Sequence, residues 1–326
     1  MEQDNQDYKE NQDSKENINH INTNNSNNND AKRKIWGILS VVFAIGALVC
    51  IGILIKMSID QKNRAEDMSN LVKSTEYSSV IDGEPISSEP TEESKTSVET
   101  ETQSEETQTV EEPLDPFEES IRFLTESGIP IPELEVDIAA LQESTNPDIY
   151  AWIYIPDTKV NYPVLQHQTD DSYYLNYNID GTKGYPGCIY SEKKYNSKDF
   201  SDSNTVLYGH NMKNGTMFGS IHKYEDRQFF EEHPYIYVYT PERLLVYHVF
   251  AAYEHGNEHL LYNHNFSDSE SFRWYFEDVM TERSMNSNFL EDIELTGEEK
   301  IITLSTCINN KPTKRYLVQG VLLNEE

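Results

Sequence analysis

The sequence predicts a mainly β domain, a closed or nearly closed antiparallel β-barrel, with two helices ahead of it and a third helix inserted before its last strands. Three observations carry this expectation. From Ala151 onward the chain runs in short β-branched and aromatic segments, at 152–155, 160–165, 187–190, 205–208, 235–239 and 244–253, separated by Gly, Pro, Asn and Asp. Many short strands within roughly 170 residues favour a barrel over an open sheet. The chain then closes on two further apolar runs, 301–304 and 316–322, whose connection through Asn309, Asn310 and Pro312 has the chemistry of a turn and pairs them antiparallel. Helical periodicity is confined to three places. Phe117, Ile121 and Leu124 recur at helical spacing, as do Leu134, Ile138 and Leu141, and Asn146-Pro147 ends the second helix. Phe272, Phe276, Val279 and Met280 form the apolar face of the third, with Ser267 and Glu270 spaced as a capping box at its start.

Three stretches precede this domain. Residues 1–34 are rich in Asn, Asp, Gln and Glu and end in Lys32-Arg33-Lys34, so they read as a disordered tail. Residues 35–55 form an apolar run of 21 residues, enough to span about 30 Å of hydrocarbon as a helix. A cleaved signal peptide fits less well, because the run is long, begins well inside the chain and has no small-x-small site after it. Leu48-Val49-Cys50 does not make a lipoprotein box either, since Val49 is large and the run continues past Cys50. The tight basic cluster before the run favours a cytoplasmic N-terminus, although Lys56, Lys62, Arg64 and Lys73 beyond it nearly balance the count. Residues 56–113, dominated by Ser, Thr, Glu and Gln, read as an extended stalk on the far side, leaving 114–326 as the folded domain.

The net charge of −31 belongs in good part to that stalk region. From Asp82 to Glu119 there are fourteen acidic residues against the single base Lys95. Outside the membrane flank no Lys and Arg cluster offers phosphate contacts, which excludes nucleic acid as a partner. Three cysteines, Cys50, Cys188 and Cys307, give no disulfide framework. Cys188, on a strand between Gly187 and Ile189, reads as a small core residue.

Cys307 is different. It stands at the polar end of Thr303-Leu304-Ser305-Thr306-Cys307, where a buried strand emerges into solvent, and the hairpin sets Arg315 beside it. A fixed positive charge there favours the thiolate, the nucleophilic form. A thiol nucleophile also needs an acid–base partner and a group to stabilise the oxyanion. Among nine histidines, His210 is placed for this, after the strand 205–208 and the permissive Gly209. An ordinary exposed loop histidine is the alternative reading. His255, His259 and His264 do not follow recognised zinc spacing, so no metal is expected there. His167, His222, His233 and His248 read as surface or half-buried residues.

Thr303-Leu304-Ser305-Thr306-Cys307 resembles the TLxTC signature of sortases, and Tyr208-Gly209-His210-Asn211 together with Arg315 is similar to that family's His, Cys and Arg set, in the family's order. The stretch from Asn211-Met212 to Met217-Phe218-Gly219, the two leading helices and the inserted helix most resemble class B sortases, over residues 114–323. The resemblance implies a sortase-like barrel and a transpeptidase, single-pass in the membrane, with its catalytic domain extracellular. Cys307 would attack the carbonyl of a Thr in the C-terminal sorting signal of a secreted protein, and His210 would serve as acid and then base. Arg315 would steady the substrate carbonyl or its oxyanion, and an amino group of peptidoglycan or its precursor would resolve the thioester. Ser305 and Thr306 could contact substrate, a backbone-bonded polar role being the alternative for Ser305. No cofactor is implied. Two other readings stand beside it: a tethered cysteine peptidase that uses the same residues but delivers the acyl group to water, and a non-catalytic wall-binding module, which the acidic stalk would suit but the intact reactive set argues against. Loops after Gly184 and Gly256 are expected to shape the pocket that reads the sorting motif.

Overall fold

The structure is a computed structural model that describes residues 115–281 and 284–325, together with isolated helical, exposed positions at Ile51, Ile55, Lys56 and Ile59. The chain divides into two compact units, Met1–Asn63 and Arg64–Glu326. The expected tail, and nearly all of the apolar run and the stalk, lie outside the described residues. Among the described residues no helix is long and apolar enough to cross a membrane.

Helix α1 (Pro116–Glu126) begins where the sequence chemistry places it. The Asp115 carboxylate accepts from the Phe117 N–H at 2.7 Å, Pro116 occupies the first turn, and Glu118 and Glu119 face the positive end of the helix dipole. It ends at Gly128, whose φ of 66° lets Ile129 N–H reach the Leu124 carbonyl at 2.9 Å. Leu124 is buried, whereas Phe117, expected on the same apolar face, is exposed. Helix α2 (Ile138–Ser144) is shorter than the periodicity suggested. Asp137 caps it by accepting from Ala140 N–H at 2.8 Å, so Leu134 lies ahead of the helix, in the segment that follows Pro130 and Pro132.

Nine strands follow among the described residues: β1 (Ile149–Tyr154), β2 (Asn161–Leu165), β3 (Ile189–Tyr190), β4 (Asn204–Tyr208), β5 (Tyr235–Tyr239), β6 (Leu244–Gly256), β7 (Asn288–Phe289), β8 (Ile301–Ile308) and β9 (Lys311–Leu322). Eight of them close in the order β5-β1-β2-β3-β4-β8-β9-β6 and back to β5, and β7 adds to β6 outside the ring. The expected mainly β, closed barrel is therefore what the chain forms, and most joints are antiparallel. Two are parallel, β2 with β3 and β4 with β8. Short helices fill several connections: α3 (Tyr173–Asn176), the 3₁₀ helix η1 (Phe218–Glu225), α4 (Arg227–Glu232) and α5 (Leu260–Asn263).

Burial on both faces explains why these strands read as near-continuous apolar runs. On β5, Ile236 and Val238 point into the barrel while Tyr237 and Tyr239 pack under α1 and α2. On β6 the pattern switches partway. Leu245, Tyr247 and Val249 face inward, a bulge between Val249 and Ala251 breaks the register, and thereafter Ala252 faces inward while Phe250, Ala251 and Tyr253 turn to a third cluster. That cluster is covered by the inserted helix α6 (Ser269–Val279) through Phe272, Tyr275, Phe276 and Val279. The cap of α6 is Asp268 rather than Ser267. Its carboxylate accepts from Ser271 N–H at 2.9 Å and from the Ser271 hydroxyl at 2.6 Å, which replaces the expected capping box.

The hairpin of β8 and β9 also differs in detail. Strand β9 starts at Lys311, so the connection expected through Asn309, Asn310 and Pro312 shrinks to a tight reversal around Asn310, whose φ is 62°, and Pro312 falls within the strand. The extra residues are absorbed in a register shift between Cys307 and Ile308. Cys188 is a buried free thiol in the core under α1 and α2, where burial pushes its pKa well up.

Two histidines make the fold acid-sensitive. Burial lowers the pKa of His248 below 6.5, and burial followed by the neighbouring charge of His255 does the same for His264. In each case the unfolded chain binds the proton more readily. Stability is therefore full above about pH 6.5 and declines as pH falls through the lowered native values. His264 packs its ring 4.9 Å from that of Tyr275, so His264→Phe keeps the contact and removes the titration. This variant is expected to show a shallower fall in Tm between about pH 7 and pH 5 than the wild type. A slope equal to that of the wild type would refute the assignment.

Candidate active site

Strand directions assemble the site. Because β4 and β8 run parallel, with Tyr208 beside Ser305, both strands end at the same rim of the barrel. The residues that follow them, Gly209 with His210 and Thr306 with Cys307, therefore emerge together. Two bonds join these ends. Gly209 N–H donates to the Ser305 carbonyl at 3.2 Å, and the Thr306 hydroxyl donates to the Gly209 carbonyl at 2.7 Å. Gly209 is required here for space. A Cβ would lie 2.5 Å from Ile189 Cδ1 and 2.8 Å from the Phe218 ring. Antiparallel β9 completes the rim by placing Arg315 directly opposite Cys307.

Cys307 is exposed, while Ser305 and Thr306 behind it are buried. The His210 Nε2 lies 2.7 Å from the Leu175 carbonyl, which can only accept, so this nitrogen carries the proton and Nδ1 is left for exchange. The ring of Tyr185 packs against the same imidazole, with centroids 4.8 Å apart. The Arg315 Nη1 donates to the carbonyls of Pro312 at 3.2 Å and Lys314 at 3.0 Å, which steadies one arm of the guanidinium and leaves other donors of the fork available.

A cavity of about 330 Å³ opens at this rim, and His210, Cys307 and Arg315 all line it. Its floor includes Tyr190, Tyr208 and Leu317, and residues 255–260 form a wall. Burial, with neighbouring Glu192 next in weight, raises the pKa of both Tyr190 and Tyr208, so the floor presents neutral hydroxyls. Of the two residues expected to touch substrate, Ser305 lines the cavity. Thr306 also borders it, but its hydroxyl is spent on Gly209, which makes it a joint between strand and loop.

Sequence reasoning did not single out Leu175, whose carbonyl orients His210 from 35 residues away and leaves no side-chain signal. Nor did it find the tie that holds the cavity wall, where His259 Nε2 sits 2.7 Å from Glu192 Oε2 and Tyr208 donates to the same oxygen at 3.3 Å. His255 and His259 border the cavity, whereas His264 packs among Phe266 and Tyr275. Asn211 and His222 both approach the Cys307 backbone carbonyl, at 2.8 and 3.1 Å. In the sequence Asn211 stood out only as the neighbour of His210 and the start of the class B-like stretch, and His222 only as a surface or half-buried residue.

A closed barrel with an exposed thiol, an oriented imidazole and a guanidinium on one rim has the parts of an acyl-transferring cysteine enzyme. Residues 153–323 match the sortase domain family. Sortase B of Listeria monocytogenes is 33% identical over 195 residues, covering 59% of this chain and 76% of that protein. Sortase B of Staphylococcus aureus is 30% identical over 183 residues, covering 56% and 72% respectively. Among solved structures, Clostridium perfringens sortase B aligns with a TM-score of 0.51 at 27% identity, covering 58% of this chain and 100% of that one. A Staphylococcus aureus sortase B–substrate complex aligns at 0.50 and 25% identity, covering 64% and 93%. The chain belongs to the sortase family, within class B, and is a cysteine transpeptidase of the cell-wall sortase kind.

Proposed function

We propose that this sortase acts outside the cell, tethered by residues 35–55, and joins secreted proteins to peptidoglycan by cutting their C-terminal sorting signal after a Thr. The observation that carries this reading is the convergence of Cys307, His210 and Arg315 on one cavity. Cys307 Sγ forms a bond to the Thr carbonyl carbon, and Arg315 donates to the oxygen as it gains charge. His210 gives a proton to the departing amine as the C–N bond breaks, leaving an acyl-thioester on Cys307. An amino group of peptidoglycan or its precursor then attacks the thioester, and His210 takes up its proton as the thiolate leaves. The basic cluster before the apolar run supports a cytoplasmic N-terminus, and the acidic stalk supplies reach toward the wall.

The full chain in detergent, incubated with a library of Pro- and Thr-containing peptides, tests this reading by mass spectrometry. An acyl adduct on Cys307 is expected, together with cleavage after Thr that accelerates when an amine such as hydroxylamine is added. Cleavage at a rate indifferent to the amine, with water as the sole acceptor, would identify a peptidase instead.

A further inference from the structure

The Cys307 carbonyl sits where the β8–β9 ladder loses its register, since Cys307 pairs with Arg315 but Ile308 pairs with Lys311. A strand end at such a break is a poor place to hold a nucleophile still, because regular ladder bonds no longer fix the peptide plane. Three side chains outside the ladder take over. Asn211 Nδ2 donates to the Cys307 carbonyl at 2.8 Å, and His222 Nε2 lies 3.1 Å from the same oxygen and 3.0 Å from Asn211 Nδ2. The other ring nitrogen of His222 is 2.6 Å from Glu225 Oε1. A nitrogen facing a carboxylate carries a hydrogen, so Glu225 holds the ring from behind. Nε2 then either donates to the Cys307 carbonyl or accepts from Asn211, and both arrangements leave that carbonyl bound. The ring is also stacked on Tyr316, at 4.8 Å and 22°, and Tyr316 is fully buried opposite Thr306.

We propose that Asn211, His222 and Glu225 form a clamp that positions the thiol of Cys307 through its own backbone carbonyl. None of the three needs to touch substrate; they are positioning residues. The clamp also couples the thiol to its acid–base partner. Asn211 directly follows His210, and the Phe218 N–H at the start of η1, the helix that carries His222 and Glu225, donates to the His210 carbonyl at 3.0 Å. One short stretch of chain thus sets both reacting groups, and a displacement of η1 would misalign them together.

This inference rests on Cys307 being the nucleophile, so the test separates the two claims. The full chain in detergent is assayed as wild type, His222→Phe, Asn211→Ala, the double variant, Glu225→Gln and Glu225→Ala. Readouts are steady-state cleavage of a peptide selected from the library above, Tm, and the rate of Cys307 alkylation by iodoacetamide. His222→Phe keeps a ring on Tyr316 and removes both nitrogens. Each of His222→Phe and Asn211→Ala is expected to lower kcat by about tenfold to a hundredfold with KM within about twofold, the pattern of a misplaced reacting group. Because both act on one carbonyl, the double variant is expected to lose little more than the worse single variant. Glu225→Gln, which can still accept from the ring, is expected to retain more activity than Glu225→Ala. A kcat within about twofold of wild type in both single variants, a parallel rise in KM, or losses that multiply would overturn the clamp. If His222→Phe fails to fold, Asn211→Ala alone decides by the same criteria. If Cys307→Ala still cleaves peptide, the nucleophile reading fails, and the clamp is then judged on the alkylation rates, where equal rates across the variants would sink it.

Discussion

Cys307→Ala is expected to abolish peptide cleavage, amine transfer and the covalent adduct together, with a loss of at least about 10⁴-fold in kcat. The size follows from the chemistry. Without sulfur there is no covalent intermediate, and no other described thiol can substitute, because Cys188 is buried in a separate core. The fold should be indifferent to the change. The Cys307 side chain is exposed and its backbone carbonyl is held by Asn211 and His222, so truncation removes little buried surface. A shift in Tm of no more than about 2 °C is therefore expected by differential scanning fluorimetry. Residual turnover above about 1% of wild type in a well-folded variant would rule out Cys307 as the nucleophile.

Arg315→Lys is expected to cost about 10² to 10³ in kcat while leaving the charge at the rim unchanged. The guanidinium does two things at once. One nitrogen is spent on the carbonyls of Pro312 and Lys314, which fixes the plane, and the rest of the fork remains for the substrate oxygen. A lysine ammonium is a single donor centre on a flexible stem. It can satisfy the local carbonyls or reach the cavity, but it cannot hold a fixed geometry for both. If the role is electrostatic stabilisation of the oxyanion, the loss falls on acylation measured in a single turnover, with peptide affinity little altered. A lysine variant acylating at the wild-type rate would reduce Arg315 to a structural hairpin residue.

Much of the barrel was legible because each strand is a local run of β-branched and aromatic residues, and β5 was expected at the same residues the structure shows. What escaped were features that depend on distant partners. The short β7 is a strand only because Ala251 and Ala252 lie beside it. The capping box at Ser267 gave way to Asp268, one residue on, where the chain direction into α6 presents the carboxylate to Ser271. Phe117 has the spacing of a core residue but is exposed in the first turn of α1, whereas Leu124, two turns on, is buried.

The site divides in the same way. That Cys307 and Arg315 face one another is local, because a hairpin sets its own register within a few residues of its turn, and the sequence by itself determined it. The placement of His210 beside them was decided by the tertiary structure. An antiparallel neighbour would have carried His210 to the opposite rim, whereas the parallel pairing of β4 with β8 brings the two strand ends together from positions almost a hundred residues apart. Parallel pairing needs a long crossover and leaves no turn motif in the sequence to announce it. The same pairing brings Asn211 onto the Cys307 carbonyl from 96 residues away, and the carbonyl of Leu175 reaches His210 through backbone that carries no signature in its side chain.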